Sequence, residues 1–225
     1  MNYTYLLINF ALLMVTAVLF SFRRINVLAN SKFLLLAVFI NVFVFSVPTE
    51  YLTRVKVIVF NPPFLIGINL WGLPVEELFF SLSMPLCALA IYLFLNVRFP
   101  DQRLEKYSLA LSNVLMGICI AILYFGYHHL YTLITFSLLF VFILYVEYVN
   151  KIRFMYKFYR AFLVSLIPFY ISSGILNGLP VIQYSEEDTL IFNLFKVPFE
   201  STFYFMGMLL LVVYLFEAFK NKSAR

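Results

Sequence analysis

The sequence predicts an all-α polytopic membrane protein, with seven transmembrane helices in two related repeats and short β-hairpins in the loops before helices 3 and 7. Three observations predict it. Mean hydropathy is +0.95, with 64% hydrophobic and only 12% charged residues, too few charges to cover a soluble globule. Apolar stretches recur near the length, about 17–25 residues, that crosses about 30 Å of hydrocarbon. Finally, Leu70-Trp-Gly-Leu-Pro-Val-Glu-Glu-Leu-Phe79 returns as Leu194-Phe-Lys-Val-Pro-Phe-Glu-Ser-Thr-Phe203, 124 residues on, aligning Pro74 with Pro198 and Glu76 with Glu200.

In chain order the predicted spans are Tyr3–Ser21, Phe33–Pro48, Pro74–Leu95, Ser108–Gly126, Leu130–Val149, Tyr159–Leu176 and Phe199–Phe219. The first lacks a basic leader and a small-residue cleavage site, so it is expected to stay. The second is short, and either continues past Pro48 or stops below full thickness. Between spans two and three, Val55–Phe60 and Ile66–Trp71 are β-rich runs around Asn61-Pro-Pro63, which suits a turn and predicts a hairpin. Between spans six and seven, Val181–Tyr184 and Leu190–Phe195 bracket Ser185-Glu-Glu-Asp188 in the same way. The unit helix, hairpin, proline, carboxylate, helix thus occurs twice, predicting repeats over 1–107 and 108–225 within one integral membrane domain. Spans three and seven then run in the same direction, and parallel repeats of this kind commonly build one site between them.

Lys and Arg near span ends accumulate on the cytoplasmic side. The connections after spans one, three and five, with the C-terminus, hold Arg23, Arg24, Lys32, Arg98, Arg103, Lys106, Lys151, Arg153, Lys157, Arg160, Lys220, Lys222 and Arg225, against Arg54, Lys56 and Lys196 on the other face. An N-terminus outside and a C-terminus in the cytoplasm follow, in a plasma-membrane protein. The pI near 9.1 reflects topology and calls for no nucleic acid.

Cys87 and Cys119 fall inside spans, where a thiol packs as a small apolar group, and neither supports a disulfide framework or a metal site. His128 and His129 are adjacent in a short connection and do not share a helix face, so a polar span end describes them better than a metal site. No G-x-G-x-x-G cradle is present for a dinucleotide cofactor.

Proline is favoured at the first helical position, and Glu two residues on sits against the free N–H groups of the first turn. Capping alone explains a single Pro-x-Glu. Here the motif is repeated, stands where a helix enters the membrane, and precedes dense aromatics, Phe79-Phe80 and Phe203-Tyr204. A carboxylate there reads as a functional site. Burial, a neighbouring carboxylate and the helix N-terminus act in opposite senses, leaving a group that can hold or release a proton. Protonating an alkene further needs aromatic faces to stabilise the cation and exclusion of water. The chain has 28 Phe and 16 Tyr, most of which serve lipid-facing and interfacial positions.

At this point the residues carry a resemblance. Asn61-Pro-Pro-Phe-Leu-Ile-Gly-Ile-Asn-Leu-Trp-Gly-Leu-Pro-Val-Glu-Glu-Leu-Phe-Phe80, with Asn177-Gly-Leu-Pro-Val-Ile-Gln-Tyr184 leading to Val197-Pro-Phe-Glu-Ser-Thr-Phe-Tyr204, resembles the membrane-integral lycopene cyclases of bacteria, archaea and fungi. The resemblance spans both repeats. It implies two homologous three-helix units, fused here, that close the linear ends of lycopene into rings without net redox change. The family's Pro-x-Glu-Glu and Pro-x-Glu-Asp motifs fall on Pro74, Glu76 and Glu77, and on Pro198 and Glu200; Ser201 stands where the second motif has its other acid.

The implied catalytic residues are Glu76, Glu77 and Glu200, with Trp71, Pro74, Phe79, Phe80, Pro198, Phe203 and Tyr204 against substrate. A carboxylic acid protonates C2 of the ψ end, the C5–C6 double bond attacks the cation at C1, and a base removes the proton at C6. The acid is assigned to the Glu76/Glu77 cluster and an electrostatic or base role to Glu200. Adjacent helical residues point about 100° apart, so the two glutamates do not face a pocket equally, and the pairing of Glu76 with Glu200 favours Glu76. No cofactor is expected. The implied partners are lycopene or a related linear carotenoid, the bilayer and other enzymes of the carotenoid pathway. The alternative is a seven-helix carotenoid-binding or transport protein without catalytic activity. A rhodopsin-type retinal linkage would need a lysine in the last span, and Phe199–Phe219 has none.

Overall fold

The computed structural model describes residues 3–22, 27–100, 105–150, 152–190 and 192–223. In order they form α1 (Thr4–Phe20), α2 (Val27–Arg54), β1 (Ile58–Phe60), β2 (Asn69–Leu70), β3 (Leu73–Pro74), α3 (Val75–Arg98), α4 (Ser108–Gly126), α5 (Leu130–Leu144), α6 (Met155–Gly178), β4 (Ile182–Tyr184), β5 (Asn193–Leu194), β6 (Val197–Pro198) and α7 (Phe199–Ser223). A π-helix, Tyr145–Val149, continues α5. The order helix, helix, strand, hairpin, helix occurs twice, with α4 between the two copies. Among the described residues six helical stretches, from α2 through α7, are long and apolar enough to cross a membrane; α1, at 17 residues, is shorter.

The centre of the bundle is built by the two helices that carry the motifs. α3 packs against α1, α2, α6 and α7, and α7 packs also against α2 and α5. Small residues on α3, Cys87, Ala88 and Ala90, are fully buried, as are Leu209, Val213 and Phe216 on α7; short side chains let helix backbones approach where lipid offers no hydrophobic contrast. Both cysteines are free and buried. α4 lies at the periphery, with Leu111, Val114, Ile118 and Tyr124 turned outward.

Where a proline or a charge bounds the predicted span, the helix runs further. α2 passes through Pro48 to Arg54. Proline removes one N–H from the ladder, and hydroxyls commonly re-satisfy the loosened turn in a membrane helix. Here Thr49 Oγ1 donates to Phe45 O at 2.8 Å, and the Tyr204 hydroxyl lies 3.0 Å from the same oxygen.

The hairpins need correction. The expected partner of Val55–Phe60 was Ile66–Trp71, and that of Val181–Tyr184 was Leu190–Phe195. Instead β1 pairs antiparallel with β4, across the two repeats, in the register Ile58↔Tyr184, Val59↔Gln183 and Phe60↔Ile182. Asn61 N donating to Val181 O at 3.0 Å and Ser185 N to Val57 O at 2.9 Å extend the ladder. After β1 the prolines curl into a short 3₁₀ turn, Pro62–Phe64, which leads the chain away rather than back. The hairpins lie closer to the motif: β2 with β3, and β5 with β6. Their two-residue turns hold both central residues at positive φ, Trp71 at 53° and Gly72 at 77°, Phe195 at 52° and Lys196 at 66°, the backbone a tight hairpin of right-twisted strands demands.

The cross-repeat strands set the N-termini of α3 and α7 at one end, here the motif end. Among the described residues Lys32, Arg98, Lys106, Arg153, Lys157, Arg160, Lys220 and Lys222 fall at the opposite, basic end, and Arg54, Lys56 and Lys196 at the motif end. Arg23, Arg24, Arg103, Lys151 and Arg225 lie outside the described residues.

Candidate active site

Each motif proline is the last residue of a hairpin and immediately precedes its helix, so Val75 and Phe199, not the prolines, take the first helical positions. Glu76 and Glu200 do not cap their own helices. Glu76 is 1% and Glu200 0% exposed, and each reaches back to its own loop: Ile66 N donates to Glu76 Oε1 and Leu190 N to Glu200 Oε1, both at 2.5 Å. The two loop residues are themselves 124 positions apart. Thr132 Oγ1 adds a second bond to Glu200 Oε1 at 2.7 Å. In both glutamates Oε2 is buried without a partner among the described residues. One oxygen of each carboxyl therefore holds a loop, and the other is free of that bond.

The next position breaks the symmetry. Glu77 Oε2 accepts a short hydrogen bond from the hydroxyl of Tyr5, on α1; Ser201 Oγ lies 3.0 Å from the hydroxyl of Tyr131, on α5. Tyr5 and Tyr131 each stand one residue after the start of the first helix of their unit. Both are buried, in one cluster with Leu52, Val57, Ile58, Val181 and Ile182 from the paired strands and the helix ends beneath them. Tyr184 of β4 stacks on Tyr131, rings 5.4 Å apart and 25° from parallel, and Tyr131 also faces Tyr204 at 6.0 Å. Tyr204 is anchored to α2, its hydroxyl 2.8 Å from Thr49 Oγ1. Burial pushes the Tyr184 phenol up to about 12, against the pull of the nearby Ser201 hydroxyl, so it remains an uncharged donor at neutral pH. A carboxyl, four phenols and a hydroxyl thus meet at the seam between the repeats.

The remaining expected residues divide. Phe80 approaches Tyr5 at 5.8 Å, while Phe203 packs on Phe136 at 4.9 Å and Phe199 at 4.8 Å. Pro74 and Pro198 are buried in their hairpins. Trp71 is 67% exposed at the turn and Phe79 is also exposed; Trp71 meets the edge of Phe43. A cavity of about 500 Å³, walled by Ile58, Phe60, Leu65, Gly72 and Pro74, lies against the first hairpin, within the size range of small-molecule sites.

Sequence reasoning missed Tyr5, Thr132, Tyr131 and Tyr184. The repeat carried a signal for two of them: Thr4-Tyr5 and Leu130-Tyr131 open equivalent helices, and a search for recurrence at helix starts would have paired them.

The family model described as lycopene cyclase matches residues 2–95 and 128–219. The chain belongs to the lycopene cyclase family. The matched stretches hold α1 to α3 and α5 to α7, both motifs included, and α4 falls between them. No curated protein and no solved structure matches the chain. Membership makes this lycopene cyclase family member a carotenoid cyclase in general terms, acting in carotenoid biosynthesis on a linear carotenoid, and its apolar helices suit a membrane protein.

Proposed function

We propose that the chain closes ψ ends of lycopene into β-type rings by redox-neutral, proton-initiated cyclisation, with Glu77 as the acid. The observation that carries this reading is the contact of the buried Tyr5 phenol with the half-buried Glu77 carboxyl at the seam of the two units. No basic side chain neutralises Glu77: among the described residues the ion pair found is Arg54 with Glu50. Tyr5 occupies Oε2, which orients the carboxyl and leaves Oε1 to carry the proton.

Glu77 gives that proton to C2, and the electron pair of C1=C2 forms the new C–H bond. The cation at C1 is then captured by the C5–C6 double bond, and loss of the C6 proton restores neutrality. Glu77, now a carboxylate, is the base placed to take that proton back, so substrate and product are isomers and no reductant enters. The ring faces of Tyr131, Tyr184 and Tyr204 stabilise the passing positive charge. Glu76 and Glu200 hold the loops that lead into the two motifs. Ser201 keeps a hydroxyl where the family motif has an acid, so the seam works with one proton-donating carboxyl.

The same reading takes seven spans, with α1 crossing despite its length, the N-terminus outside and the C-terminus in the cytoplasm of a plasma-membrane protein. The repeats run over 1–107 and 108–225, the second opening with α4, the crossing that keeps the two three-helix units, α1 to α3 and α5 to α7, parallel. Expression in lycopene-accumulating cells tests the activity: cyclised carotenoid with the natural chain and persisting lycopene with Glu77→Gln support it. Persisting lycopene with the natural chain, present in the membrane, contradicts it.

A further inference from the structure

At the basic end, farthest from the motif glutamates, lies a second cavity of about 490 Å³ between the start of α4, the end of α5 and the start of α6. Its walls have two characters. Lys106, Arg153 and Lys157 ring it, while Leu109, Val146, Ile152 and Met155 give it an apolar side. Two carboxylates also line it. Glu147 accepts a short hydrogen bond from Ser112 Oγ, which lies 2.6 Å from the Tyr159 hydroxyl, so three cations and two acids share the wall.

The backbone beside the cavity is irregular in a way that recurs at functional sites. α5 ends in the π-helix Tyr145–Val149, closed by Asn150 N donating to Tyr145 O at 3.0 Å. Such widened turns are rare and concentrate where a protein binds or reacts. This one carries Glu147 and Val146 into the cavity wall. The first turn of α6 faces the same space with no acidic residue and no side-chain cap.

We propose that this cavity binds the headgroup and upper acyl region of an anionic phospholipid. Cations clustered between membrane helices at the basic end are suited to a phosphate, and the apolar wall asks for hydrocarbon continuous with that phosphate, which a free ion lacks. The site is independent of the cyclising residues, none of which lies at this end.

The full chain, purified in a neutral detergent, is titrated with dioleoylphosphatidylglycerol or dioleoylphosphatidylcholine, and bound lipid is counted by native mass spectrometry. Saturable binding of the anionic lipid alone is expected, weakened about tenfold or more in Arg153→Gln/Lys157→Gln. Lys220→Gln/Lys222→Gln removes the same charge from the end of α7 and should leave affinity unchanged. Leu109→Trp fills the apolar side without altering charge and should also lose the lipid. Equal binding of both lipids, or equal loss in the α7 variant, overturns the proposal. Millimolar inorganic phosphate that displaces the lipid completely, and binds with the same dependence on Arg153 and Lys157, would make free phosphate the ligand and overturn the lipid.

Discussion

Glu77 and Ser201 occupy the same position of the two units, and each meets the tyrosine that opens its unit's first helix. The carboxyl survives in one unit only, which ranks the glutamates by consequence. Glu77→Gln keeps shape and removes the acid, so turnover of purified protein should fall by ~10³-fold, within the usual worth of a general acid. Glu76→Gln and Glu200→Gln retain an Oε1 acceptor for Ile66 N and Leu190 N; they should fall alike and by less, about tenfold to a hundredfold. Glu76→Gln more damaging than Glu77→Gln would reverse the assignment. Tyr5→Phe deletes one hydrogen bond to a carboxyl, and a drop of about tenfold in kcat with little change in KM is expected. A change confined to KM would place Tyr5 in substrate binding instead. The glutamates were legible because proline and carboxylate recur together at fixed spacing. The tyrosines were not, because a lone Tyr among 16 announces nothing until the fold brings it to a carboxyl 72 residues away.

Strands that are two or three residues long owe their partners to the bundle. β1 and β4 alternate as strands in the sequence, but nothing in their composition distinguishes a neighbour across a turn from one in the other unit. Helix packing decides it, by bringing the ends of α2 and α6 together above the seam. Val59→Cys with Gln183→Cys, partners in the register, should therefore crosslink on mild oxidation. After cleavage at a protease site inserted between α3 and α4, the two halves should stay joined until reductant is added; separation without reductant would deny the cross-repeat pairing. The tight turns were half legible, since Gly72 signals positive φ and Trp71, Phe195 and Lys196 do not. Lys196→Gly releases a left-handed lysine, worth up to about 1 kcal/mol, and should raise the thermal unfolding midpoint in detergent. Gly72→Ala should lower it, because the new Cβ would lie 3.2 Å from the Glu50 side chain.

For the molecule as a whole, hydropathy read the helices closely because lipid imposes one requirement on every span, an apolar surface with an internally bonded backbone. α4 matches its predicted bounds, and α2 and α6 exceed theirs where Pro48 and the basic residues near α6 masked helix that continues. Two parallel units give two ends of unlike chemistry, buried carboxyls at the motif end and cations at the other. A reporter after Arg225 should sit in the cytoplasm and one within 185–188 outside; the same side for both would break the shared face on which the glutamates depend. The most direct test of the central claim is the origin of the ring's new hydrogen. The purified chain in lipid, given lycopene in heavy water with no cofactor added, should place one deuterium at C2 for each ring closed, and the Glu77→Gln protein should close almost none. Rings formed without deuterium, or only when a reduced flavin or nicotinamide is supplied, would contradict proton-initiated cyclisation by Glu77.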